Sequence, residues 1–291
     1  MADTTVLREG LRFGEGPRQG PDGRLVYSDF YDHEVRVLDL ATGEEEVVCE
    51  VPGQPSGLGW LPDGRLLVVS MRDRRVLRLE PDGALVEHAD LNGIATFHAN
   101  DMLVDPHGRA YVGNFGFDLH AAIAAGGEGP MLEPDWVAPG TPLAVVQPDG
   151  SVSVAAEDMK FPNGMGWLPG RDGEPGRLVV AETLAFRLTT FAVADDGTLS
   201  DRRVWASLRE HFIAPDGIAV DAAGGVWVAP ALQPFAFRVE EGGEITRKVE
   251  TSQVCFAVAV VGDKLVCCTA PSSQPEVVAG ERLGKLEVFD L

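Results

Sequence analysis

Residues 56–70 read SGLGWLPDGRLLVVS. This stretch is a β-hairpin by its own chemistry. Pro62-Asp63-Gly64 supplies a fixed φ and then a residue that tolerates φ > 0, as a tight turn requires. The runs on either side are short, aliphatic and bounded by turn residues, which is the pattern of strands. The same arrangement recurs as GEGPRQGPDGRLVYSD from Gly14, NDMLVDPHGRAYVGN from Asn100 and NGMGWLPGRDGEPGRLVVAE from Asn163. It recurs again as DGIAVDAAGGVWVAP from Asp216 and FAVAVVGDKLVCCTA from Phe256.

Six copies therefore lie in register, at intervals of roughly 40 to 63 residues, which is the range of four-stranded propeller blades. Further strand-like runs at 34–40, 75–80, 143–147, 187–194 and 236–240 complete four strands per unit. Sustained 3.6-residue periodicity is almost absent. The expected fold is all-β: a six-bladed β-propeller with four antiparallel strands per blade, forming one domain over residues 1–291. The last copy is followed by one clear strand, at 285–291, while the run 4–9 is spare. Closing the last blade with that N-terminal strand removes exposed sheet edges. The longest interruption, 115–141, holds a helical turn at 119–125 and then a Gly-rich stretch, and is read as a lid or pocket wall.

The formal net charge is −21, from 24 basic and 45 acidic residues. Such a field repels phosphate backbones and anionic lipid surfaces, so neither nucleic acid nor membrane is an expected partner. The segment from Met1 to Gly10 has no basic region followed by an apolar run, and no apolar run approaches membrane-spanning length. A cytoplasmic location is expected. The four cysteines, Cys49, Cys255, Cys267 and Cys268, lack metal-finger spacing and read as free thiols. Oligomeric state leaves no mark in the sequence.

In a blade, residues just before the innermost strand ring the axis at one end. Aligning the copies names Glu15, Ser56, Asn100, Asn163 and Asp216, with Cys255 or Phe256 in the last blade. Taken singly, Asn-Gly and Asp-Gly are ordinary turn dipeptides. Taken together, two carboxylates and two amides crowd a narrow channel. Carboxylates held close together must be protonated, paired or bound to a cation. With no Lys or Arg at the other axial positions, a metal is the natural counter-charge. An all-oxygen and amide shell suits a hard ion, Ca²⁺ first and Mg²⁺ next, and Zn²⁺ or Mn²⁺ also fits when ligands are few. The segments joining second strand to third begin at Asp29, Ser70, Asn114, Glu182, Pro230 and Thr269 and should wall a pocket outside the axis. His98, His120 and His211 flank axial or loop positions.

At these residues the chain resembles the senescence-marker-protein/gluconolactonase/luciferin-regenerating-enzyme family. The matching stretches are FGEGP, ANDMLVDPHGRAYVGN, FPNGMGW and PDGIAVDAAGGVWVA, in the family's order across nearly the whole chain. The resemblance implies a metal shell of Glu15, Asn163 and Asp216, with Asn100 contacting substrate or metal-bound water and Asp101 also matching the pattern. Sugar lactonases of the family often carry an Arg two residues before the second Asn. Here that residue is His98, which speaks against an aldonolactone.

The expected function is metal-dependent hydrolysis of a small lactone. Asp216 and Asn100 would be catalytic, and His98, Asp101, Asn114 and Glu182 would contact substrate. The alternatives are metal-dependent hydrolysis of phosphotriesters, a non-catalytic propeller braced by metal that binds a ligand, and a biosynthetic cyclisation or condensation, since fold and metal do not fix the reaction.

Overall fold

A computed structural model describes residues 5–127, 129–133, 135–170 and 174–291. Thr4 and the turn at 171–173 in the fourth copy, both part of the sequence reading, lie outside the described residues. Six separate four-stranded antiparallel sheets make up the molecule. The first comprises Gly14–Gln19, Leu25–Asp29, Glu34–Leu38 and Glu45–Glu50, in that spatial order. The innermost strands of the others are Pro55–Trp60, Ala99–Val104, Pro162–Leu168, Ile218–Val220 and Val254–Val261. These inner strands pack against one another in sequence order, and the last packs against the first. The ring is the six-bladed propeller expected from the repeat.

Turn chemistry sets the strand ends. Gly23 and Gly64 both sit at φ +86, a conformation their Asp-Gly turns need and a side chain would resist. In each of these turns the Asp carboxylate accepts the N–H two residues on, as Asp63 does from Arg65 at 3.1 Å.

The described core falls into six apolar clusters, five of them each between two neighbouring blades and the sixth joining the second and third blades to residues of the first and sixth. Val26 and Val37 of the first blade meet Leu58 and Val68 of the second. Trp227 of the fifth, fully buried, meets Val258 and Leu265 of the sixth. Alternation along each strand produces this layout, because both faces of an interior blade are covered by neighbours.

The N-terminal strand, Thr5–Leu11, pairs antiparallel with Gly284–Asp290, from Thr5 opposite Val288 to Leu11 opposite Gly284. The last blade is thus built from both ends of the chain. All four cysteines are free thiols, three of them buried. Among the described residues no helix is long and apolar enough to cross a membrane.

Candidate active site

The axial slots meet as the repeat requires. Glu15, Ser56, Asn100, Asn163 and Asp216 all line one cavity of about 170 Å³ at one end of the channel, and Phe256 fills the sixth slot. In four blades the next residue is glycine, and the shared reason is close approach, to which Gly16 adds a positive φ of +54. A Cβ on Gly164 would collide with the backbone of Asp216 and Ile218, and one on Gly217 with Ala257. In their place the strands exchange backbone hydrogen bonds, Gly164 N–H to Asp216 O at 3.1 Å and Gly217 N–H to Phe256 O at 2.9 Å. The Asn-Gly and Asp-Gly pairs are inter-blade seams.

The third blade breaks this pattern with Asp101, whose carboxyl is buried. Arg18 answers it. Its guanidinium reaches the axis from the first blade, donates to the Met102 carbonyl at 2.9 Å, and its charge opposes the rise that burial imposes on the Asp101 carboxyl. The aligned axial slots themselves carry no Lys or Arg, and Arg18 enters the channel from a position outside them. Arg18 was missed because it lies three residues past Glu15 across a β-bulge, which upsets the two-residue alternation used to place it.

Burial drives the carboxyls of Glu15 and Asp216 well above the ordinary range. Asp216 and Asp101 push Glu15 further, and Asp101 pushes Asp216. Opposing this, the Gly16 N–H donates to Glu15 at 3.0 Å, and the Asn163 amide donates to Asp216 Oδ1. Asn163 is itself placed by Thr183, whose hydroxyl donates to the Pro215 carbonyl at 2.7 Å and lies 3.2 Å from the Asn163 amide. Asn100 is the exception. Its side-chain amide is buried, and neither its oxygen nor its nitrogen has a hydrogen-bond partner, a costly state for a protein interior.

This donor set fits a hard divalent cation. Two carboxyls raised by burial and by neighbouring acidic groups, an amide hydrogen-bonded to one of them and an orphaned amide in the same ring are the groups that a positive charge would satisfy together. Among the described residues no three His, Cys, Asp or Glu side chains cluster for metal binding, so the candidate shell is mixed carboxylate and amide.

The wall forms where expected, but from residues one to four places further along each segment. Each segment from second strand to third contributes: Phe30, Met71, Phe115, Leu184, Leu232 and Ser273. The residues ending those second strands turn away. Asn114 accepts from the Thr141 hydroxyl at 2.7 Å and the Gly116 N–H at 3.0 Å, and donates to the Pro142 carbonyl. Glu182 accepts the Lys160 N–H at 2.8 Å and pairs with Arg187 and Thr189. Burial would raise the Glu182 carboxyl, but these partners hold it below the usual range. Asp29 likewise accepts the N–H groups of Arg12 and Phe13. Asp29 and Glu182 fasten the chain that leads into their inner strands and Asn114 the start of its third strand, and neither Asn114 nor Glu182 lines the cavity. His98 is half-buried, stacked on Phe97 at 4.2 Å, and also stands outside the lining. Asp101 lies deeper on the axis, with Arg18. His120 does line the cavity, and His211 does not.

Described residues of the 115–141 segment fold over this end. Asp118 caps the helix Leu119–Gly126 by accepting the Ala121 N–H at 2.9 Å. Leu119, His120 and Ile123 of this helix, with Met131 and Leu132 of the short helix Gly129–Leu132, face the cavity.

Residues 13–267 match the family described as SMP-30/gluconolactonase/LRE-like region. The chain belongs to this family. Within it, the chain is 31% identical over 233 residues to the pentonolactonase XacC of Haloferax volcanii, covering 79% of this chain and 70% of that one. Regucalcin of Danio rerio is 26% identical over 233 residues, covering 77% and 70%. A gluconolactonase from Xanthomonas campestris superposes with a TM-score of 0.75 at 22% identity, over 100% of this chain and 90% of that one, and so shares the fold.

Proposed function

We propose that this protein is a divalent-metal-dependent lactonase that adds water to a small cyclic ester. One observation carries the reading: Glu15, Asn163, Asp216 and an unpartnered Asn100 converge at the base of one cavity from four different blades. The 31% identical pentonolactonase supports the hydrolase class. Glu15, Asn163 and Asp216 would hold the cation, Ca²⁺ being the best match to oxygen donors. When bound, the cation supplies a Lewis acid that polarises the ester carbonyl.

The chain's own groups do the rest. Asp216 Oδ1 already accepts from the Asn163 amide, so its other oxygen would both face the cation and accept the proton of the attacking water. Asn100 has both a donor and an acceptor free to orient that water or the carbonyl. Thr183 holds Asn163, and so the shell, in register. The apolar wall excludes competing water.

The test is to strip the purified protein with chelator and return single metals against panels of lactones and phosphotriesters. Lactone hydrolysis that disappears on stripping and returns with Ca²⁺ supports the proposal. Lactone hydrolysis indifferent to chelation contradicts it. Turnover of phosphotriesters alone selects the phosphorus-ester reading. Metal-dependent stability with no turnover selects the non-catalytic brace.

A further inference from the structure

The charged groups of the cavity are at the axis, and most of the remaining wall is hydrocarbon and aromatic. Phe13 and Phe161 approach from segments leading into inner strands, Phe30 and Phe115 from the outer loops, and Ile123 and Leu132 from the capping segment. Among the described residues that line the cavity there is no Lys or Arg, and the acidic ones are Glu15 and Asp216. The other polar groups of the wall are few: the hydroxyls of Ser56, Tyr31, Thr183 and Ser273 and the ring of His120. The Thr183 hydroxyl is used on Pro215, and the Tyr31 hydroxyl faces the Ser273 carbonyl at 3.5 Å. Burial lowers the pKa of His120, so its ring is neutral near pH 7.

From this lining we propose that the substrate is a lactone carrying an apolar alkyl or aryl substituent, rather than a polyhydroxylated sugar lactone. The proposal rests on the lactonase reading of the axial residues and adds the chemistry of the rest of the ligand. A sugar lactone brings several hydroxyls, each of which loses water on entering and needs a partner in exchange. This wall has few to give, and a buried hydroxyl without one is penalised. An alkyl chain loses nothing and gains burial, about fourfold in affinity per methylene (about 0.8 kcal/mol). The reaction balances with water alone: its oxygen bonds to the carbonyl carbon, the ring C–O bond breaks, the ring oxygen takes a proton, and a hydroxy acid leaves.

The experiment measures kcat/KM of the Ca²⁺-loaded protein for γ-butyrolactone, γ-nonalactone and glucono-δ-lactone, with calorimetric binding of any that is not turned over. We expect γ-nonalactone to exceed γ-butyrolactone by at least about a hundredfold, and the sugar lactone to be the poorest. In Ile123→Asp, with its fold checked by circular dichroism, that ratio should fall by at least about tenfold. Equal values along the alkyl series, or a preference for glucono-δ-lactone, would overturn the apolar substrate and leave the lactonase reading intact. Binding of γ-nonalactone with no lactone opened would overturn the lactonase reading, and with it the proposed substrate. Neither binding nor turnover overturns both.

Discussion

Asn163 donates from its side-chain amide to Oδ1 of Asp216 across the boundary between the fourth and fifth blades, bridging 53 residues of sequence. The two occupy the same slot in successive blades, so the fold itself brings them together. Removing either should act on cation affinity and turnover jointly. Asp216→Ala is expected to lower kcat/KM by at least about a hundredfold. Asn163→Ala should shift the activity-versus-calcium curve to about tenfold to a hundredfold higher concentration. Calcium titrations of initial rate check both.

The seam beside that pair has no room for a methyl group. Gly164→Ala should force the fourth and fifth inner strands apart and cost about 1–3 kcal/mol, read by urea unfolding. Because the clash falls on the Asp216 backbone, calcium affinity should weaken in the same variant. Gly64→Ala, at an open turn with φ +86, should lower stability through backbone strain while leaving calcium affinity unchanged.

Arg18 is the cation that faces Asp101 below the candidate metal shell. Arg18→Met should destabilise the protein by on the order of 2 kcal/mol by leaving a buried carboxylate uncompensated. Adding Asp101→Asn should recover part of the loss, and urea unfolding of the two singles and the double gives the coupling.

Glu182 supplies the pH dependence. Burial works to raise its pKa, but Arg187, Thr189 and the Lys160 N–H together hold it below that of an ordinary glutamate. A depressed carboxylate stabilises the folded state above its unfolded pKa, and that contribution is lost as pH falls through the folded value. Glu182→Gln should therefore be less stable than the parent at pH 7, by about 1–3 kcal/mol. The gap should narrow below about pH 4, as measured by thermal unfolding across pH. Since Glu182 does not line the cavity, KM for a lactone should stay within about threefold of the parent, a change of under 1 kcal/mol.

The blades were legible because each hairpin announces itself through its turn, and the axial slots because six aligned copies point to one place. Asn114 and Glu182 were assigned to the correct end of the propeller but to the wrong face. A shift of one residue along a strand reverses its side chains, so the wall is made by Phe115 and Thr183 while their predecessors tie down the backbone. Arg18 was hidden by a bulge, and bulges are set by packing between strands that no local pattern records. The apolar lining leaves no local mark in the sequence, since its residues come from every blade and from the 115–141 segment.

The central claim is that one divalent cation sits among Glu15, Asn163 and Asp216. Anomalous diffraction from crystals grown with Mn²⁺ or Ca²⁺ tests it most directly. The account predicts a single peak on the axis, about 2.0–2.6 Å from an oxygen of each of the three side chains, and its loss in Asp216→Ala. A channel without a peak, or a peak held by other residues while Glu15 and Asp216 stay protonated and paired with protein groups, would contradict it.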